Sequence, residues 1–148
     1  GFVPVDREEM RHFLCDGRRI DPTISFVATV EGEPAAIAIA CPNYAEWDAS
    51  FDPTSSTLGW LAARARASVD PPRGFRQMLF GVAPRYRGRA IGGLSIHLYA
   101  RVVAAARASG YEYGESMWTL SVQDVLNGGL ALMGAEKIKE YRVFQKDL

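Results

Sequence analysis

Five arginines and one glycine-punctuated turn are the residues whose types and spacing point most directly to chemistry. The segment Gly81-Val82-Ala83-Pro84-Arg85-Tyr86-Arg87-Gly88-Arg89-Ala90-Ile91-Gly92-Gly93-Leu94 carries an apolar run into a basic loop and then into a long amphipathic stretch. Amides at a helix N-terminus lack intrahelical partners and sit at the positive end of the dipole, so such a junction attracts anions. Glycines let a phosphate approach the backbone closely. Arg73, Arg76, Arg85, Arg87 and Arg89 lie near this turn in sequence, with no Asp or Glu between Arg73 and Arg89. The expectation is a cationic site for a ligand that carries several phosphates. Glu115 is the candidate proton acceptor, in a stretch otherwise built from Met117, Trp118 and Leu120. A carboxylate in apolar surroundings keeps its proton to higher pH, which suits it to proton transfer near neutrality. The competing reading is a Glu paired with an Arg at the end of a sheet.

The elements that must position these groups follow from pattern. Asp6-Arg7-Glu8-Glu9 has the form of a capping box, and the helix it opens runs through Cys15 and stops at Gly17. Ile24 to Val30 alternates, Glu31-Gly32-Glu33-Pro34 turns, and Ala35 to Cys41 returns, which predicts an antiparallel hairpin. Pro42 to Ser56 is read as irregular, with Trp47 and Phe51 as clamps onto the core. Thr57 to Val69 is read as a helix with Leu58, Leu61 and Ala65 on one side, stopped by Asp70-Pro71-Pro72. Gln77 to Val82 suits a strand buried on both faces. A helix from about Ala90 to Ser109 carries Ile91, Leu94, Leu98, Val102 and Ala105 at helical spacing and ends at Gly110. Tyr113 to Leu120 is the next strand, Val122 to Met133 a helix closed by Gly134, and Lys137 to Gln145 a final strand. This order indicates a mixed sheet with helices on both faces.

The string Val82-x-Pro84-x-Tyr86-Arg87-Gly88-Arg89-Ala90-Ile91-Gly92 resembles the pyrophosphate loop of the GNAT superfamily of N-acetyltransferases, whose pattern is Arg/Gln-x-x-Gly-x-Gly/Ala. Arg87 takes the first position and Gly92 the last, while Ala90 replaces the first glycine and puts a methyl group near the diphosphate. Asp21-Pro22, Pro42-Asn43, Glu115-Ser116-Met117-Trp118, Asn127, Gly134 and Tyr141-Arg142 extend the similarity to a bacterial GNAT branch whose members are about twice this length, with another GNAT-like half in front.

The resemblance implies an α/β (α+β) fold: a mixed, mostly antiparallel sheet with helices on both faces and a splayed parallel pair around an acyl-CoA site. Residues 1–148 would form a single domain whose first strand lies upstream or is missing. The implied activity is acyl transfer from an acyl-CoA, with acetyl-CoA first, to a small amine or amino-acid-derived metabolite by direct attack. Val82, Arg87, Gly88, Arg89, Ala90, Ile91 and Gly92 would bind the cofactor, the backbone amide near Val82 would polarise the thioester, and Glu115 would be the base. The Leu-Glu-Asp-Asn stretch of the related branch is Leu120-Ser121-Val122-Gln123 here, without its two acids, and Leu130 stands where many members carry a Tyr that can protonate the thiolate. Tyr141 or water is then the proton source for the leaving thiolate. These departures favour the alternative, a CoA-binding module with weak catalysis, as half of a tandem protein or as a binding partner.

Composition sets the remaining bounds. The 148 residues carry 17 basic and 17 acidic side chains, so bulk attraction to nucleic acid or an anionic membrane is not expected. Apolar runs are broken well before membrane-spanning length and no signal-peptide pattern opens the chain, which predicts a cytoplasmic protein. Cys15 and Cys41 are far apart and His12 and His97 form no spaced pair, so no metal site is expected. A homodimer or a second GNAT-like domain is the partner left open.

Overall fold

The computed structural model describes residues 6–15, 20–47, 56–87 and 93–142. The chain divides into two compact units, Gly1–Met117 and Trp118–Leu148.

The first unit opens with α1 (Arg7–Cys15). Asp6 Oδ1 accepts from the Glu8 and Glu9 N–H groups at 2.7 and 2.8 Å, and Glu9 Oε2 reaches back to the Asp6 N–H at 3.4 Å, so the capping box forms as written in the sequence. Strands β1 (Phe26–Val30) and β2 (Glu33–Pro42) pair antiparallel. Between them Glu31 and Gly32 both take positive φ, 52° and 84°, the combination that lets a two-residue turn match the strand twist.

Helix α2 (Thr57–Ala67) is capped by Ser56, whose Oγ accepts from the Gly59 N–H at 2.9 Å. Its buried residue is Ala63, while Leu58 and Leu61 of the stripe read from the sequence are 78% and 50% exposed and Ala65 is exposed too. Periodicity identifies an apolar stripe but not which side finds a neighbour, and here the small side chain meets the protein.

Strand β3 (Gly74–Val82) lies antiparallel to β2 and parallel to β4 (Tyr113–Ser116), giving the order β1-β2-β3-β4. Helix α3 (Leu94–Ala108) packs Leu98, Val102 and Ala106 against Ile24, Ala36, Ala38, Ala40 and Phe75. Phe26, Ala28, Phe80, Val82, Leu94 and Ala105 complete this layer. Leu94, Leu98, Val102 and Ala105 thus face the core as the spacing predicted; Ile91 lies outside the described residues.

Phe75 and Phe80 pack on the same core although five residues apart, which a strand of period two cannot do. The register supplies the reason: Ala40 pairs with Gln77 and Ile39 with Leu79, so Met78 is an extra residue, a β-bulge. The bulge also acts on the other edge of β3. Before it, the Arg73 and Gln77 carbonyls accept from the Glu112 and Met117 N–H groups of the β4 side. After it, Ala83 N–H donates to Ala35 O on β2, so alternation turns the backbone groups of Phe80 and Val82 to the β4 edge instead. A regular parallel partner needs these groups at residues 79 and 81. The β3–β4 ladder accordingly ends at Gln77 and Ser116, four residues short of the expected strand end at Leu120.

In the second unit α4 (Asp124–Leu132) ends at Gly134, φ 82°, where the Gly134 and Ala135 N–H groups close onto Ala131 and Leu130 carbonyls. Asn127 ties the preceding segment to this helix, accepting from Thr119 Oγ1 at 2.6 Å and donating to Leu120 O at 3.0 Å. The expected last strand is not formed over residues 137–142, which are exposed and unpaired with any strand; residues 143–148 lie outside the described set. Alternation yields a strand only where a neighbour supplies hydrogen bonds.

Candidate functional site

Of the residues singled out in the sequence, Glu115 lies at the fork where the β3–β4 ladder ends, and Val82 and Arg87 lie at the far end of β3. Beyond Gln77, β3 runs on from Met78 to Val82 with no strand on its second edge among the described residues. Phe80 and Val82 direct their backbone groups to that edge. At its end Ala83-Pro84-Arg85-Tyr86 forms a short 3-10 turn, which brings Arg87 back so that its Nε donates to Val82 O at 2.7 Å. That contact leaves the Val82 N–H as the group at the strand's tip. Gly88, Arg89, Ala90, Ile91 and Gly92 fall outside the described residues. Gly93 leads directly into α3, so the order of strand, basic turn and helix stands as expected.

Among the described residues, Arg73, Arg76, Arg85 and Arg87 do not gather as read from the sequence; Arg89 lies outside the described residues. Arg73 is separated from Val82 by nine residue steps, roughly 30 Å along an extended strand. Arg76 Nε pairs with Glu115 Oε2 at 3.0 Å, Arg85 with Glu33 at 3.4 Å and Arg73 with Glu112 at 3.8 Å. The sequence between residues 73 and 89 lacks acids, but the adjoining strands bring them. Of the arginines described, Arg87 is the one set at the loop itself.

Glu115 stands beside Arg76 in the parallel register, one residue before the ladder ends. Its side chain is 29% exposed. Its neighbour is therefore a guanidinium rather than an apolar shell, and the ion pair at the sheet end is the arrangement present. Gln77 lies next to it and is buried, its Nε2 donating to Ile39 O at 2.9 Å and to Leu79 O at 2.8 Å.

Sequence reasoning passed over Glu46. A short 3-10 turn (Tyr44–Glu46) places its carboxylate to accept from the Arg73 N–H at 3.0 Å, the Gly74 N–H at 2.6 Å and the Tyr113 hydroxyl at 2.9 Å. Burial pushes this carboxyl up, but the three donors outweigh it and hold it below its ordinary 4.5. Burial and the Glu46 hydrogen bond push the Tyr113 phenol up in turn. An acid within the Asn43–Glu46 segment was visible, but nothing in its spacing marked it as the acceptor for the start of β3. Glu46 also borders a cleft of about 310 Å³ lined by Trp47, Arg66, Asp70, Pro71 and Arg73, at the other end of β3 from the loop.

No family model matches the chain. The solved structure of an aminoglycoside N-acetyltransferase, AAC(6')-Iy with a bisubstrate analogue, superposes with a TM-score of 0.57 at 17% identity, covering 93% of this chain and 80% of that one. The fold is the GNAT fold. At that identity the likeness is one of architecture. Two curated proteins are similar over the whole chain. Protein YghO of Escherichia coli is 26% identical over 150 residues, and a protein named bacterial ceramide synthase, of Caulobacter vibrioides, is 26% identical over 153 residues. The chain spans 38% and 39% of their lengths. Among the described residues no helix is long and apolar enough to cross a membrane, and no group of three His, Cys, Asp or Glu is placed to hold a metal ion.

Proposed function

We propose that the chain is an acyl-CoA dependent N-acyltransferase, with acetyl-CoA as donor and a small amine or amino-acid-derived metabolite as acceptor, the amine attacking directly in a ternary complex. The observation that carries this reading is the open edge of β3 from Met78 to Val82, continued into Arg87 and the glycine loop. An extended, amide-bearing arm adds to such an edge as a strand would, and Phe80 and Val82 offer it backbone donors and acceptors. Arg87, Gly88, Arg89, Ala90, Ile91 and Gly92 would hold the diphosphate, through charge and the amides that open α3. Bound acyl-CoA supplies the activated acyl carbon, whose bond to sulfur breaks as its bond to the amine nitrogen forms. The Val82 N–H is the donor suited to the developing oxyanion. Glu115, held by Arg76 at the base of the fork, takes the proton that the ammonium must lose before attack; water returns one to the thiolate.

The relative named a ceramide synthase supports amide formation, because a ceramide is an N-acylated long-chain amino alcohol. It also enlarges the acceptor class to be tried. Because the chain spans under two fifths of these relatives, the proposal includes a second GNAT-like domain as partner. Ala90 at a glycine position, with Ser121-Val122-Gln123 lacking acids, favours the second reading, a CoA-binding module with weak catalysis.

The test is calorimetry with acetyl-CoA, joined to thiol release with amino sugars, amino acids and long-chain amino alcohols. Binding with turnover is the expected result. Binding without turnover selects the module, and no binding overturns both readings.

A further inference from the structure

We propose that Gln77 is the positioning residue that holds the fork open. The inference rests on the reading of that fork as the acyl-CoA site and adds the device that maintains it.

Gln77 is a polar side chain buried to 7% exposure within the sheet, and such a group is costly to bury unless its hydrogen bonds are made. Its one amide nitrogen spends both protons on the two backbone carbonyls that the bulge sets apart, Ile39 O and Leu79 O. Those carbonyls belong to the residue pair immediately beyond Met78. The main-chain carbonyl of the same residue accepts the Met117 N–H, the last bond from the β4 side. Gln77 therefore touches both consequences of the bulge: it bridges the β2 side, where the ladder is interrupted, and it marks the β4 side, where pairing stops. A side chain without two donors gives up this bridge across the bulge, so the extra residue is no longer pinned at Met78. An extra residue displaced along β3 past Phe80 or Val82 turns their backbone groups off the open edge. Gln77 acts through the phase of β3, without contact to a ligand.

The experiment compares the wild-type chain with Gln77→Met, which keeps shape and removes both donors, and with Gln77→Asn, which keeps an amide too short to span both carbonyls. Amide hydrogen exchange is read at Met78–Val82 and at the β1–β2 hairpin, and acetyl-CoA affinity by calorimetry. The expected result is faster exchange at Met78–Val82 with the hairpin unchanged, and affinity weakened about tenfold in Gln77→Met, the scale of one to two lost neutral hydrogen bonds. Gln77→Asn should fall between. Uniform exchange changes, unchanged affinity in a folded variant, or loss of fold in both variants would overturn the proposal. If the wild type binds no acetyl-CoA, the functional reading fails by itself, and the exchange pattern still decides the role of Gln77.

Discussion

At the scale of single residues, Glu115 and Glu46 carry opposite lessons. Glu115 is legible as a carboxylate on a strand, but its partner Arg76 lies 39 positions away and only the parallel register unites them. Because both side chains are partly solvated, at 47% and 29% exposure, breaking the pair costs little stability. Glu115→Gln should therefore leave the melting temperature and acetyl-CoA affinity nearly unchanged, while thiol release falls about a hundredfold, the scale of lost proton transfer. A drop in melting temperature with unchanged turnover would assign Glu115 to structure alone. Glu46 titrates below its ordinary value because it accepts three hydrogen bonds when ionised. A depressed folded-state value means a contribution that is complete above about 4.5 and is lost as pH falls through the lower folded value. Thermal melts over acidic pH should show this decline in the wild type, and Glu46→Gln should be less stable at neutral pH with a flatter acid limb.

At the scale of elements, the start of the parallel pair is held by two reciprocal contacts. Gly74 pairs with Tyr113 and Phe75 with Gly114, and a Cβ on either glycine would run into the aromatic ring opposite. Each ring covers the backbone that its partner glycine leaves bare, which fixes the register. Gly74→Ala or Gly114→Ala should destabilise the fold by roughly 1–3 kcal/mol, the cost of overpacking, measured by denaturant titration. Gly81→Ala is the control, since its nearest contact would be Ile37 at 4.0 Å. The hairpin, the capping box, the core face of α3 and the Gly134 stop could all be read from the sequence, since each depends on residues within a few positions of one another. The bulge could not: Met78 sits in an unbroken apolar run, and the extra residue exists only relative to β2. The outward Leu58 and Leu61 and the dispersed arginines have the same origin, because sequence proximity says nothing of which neighbour an element meets.

At the scale of the whole chain, the two units differ in how firmly the described backbone is tied. The first joins four strands and α3 through one core, whereas residues 135–142 of the second are exposed and carry no helix or strand. Among the described residues, trypsin should cut first after Lys137, Lys139 or Arg142, as mass spectrometry of a brief digest would show. Early cuts within β3 or α3 would contradict that order.

The open strand edge has a consequence for solubility. Met78-Leu79-Phe80-Gly81-Val82 is uncharged and apolar, and an edge of that composition is a template for strands of other molecules as well as for a ligand. The bulge twists one end of it and Arg87, with Pro84 close by, blunts the other. A molecule lying along the edge would shield it, so the empty protein should be the form more prone to self-associate on storage.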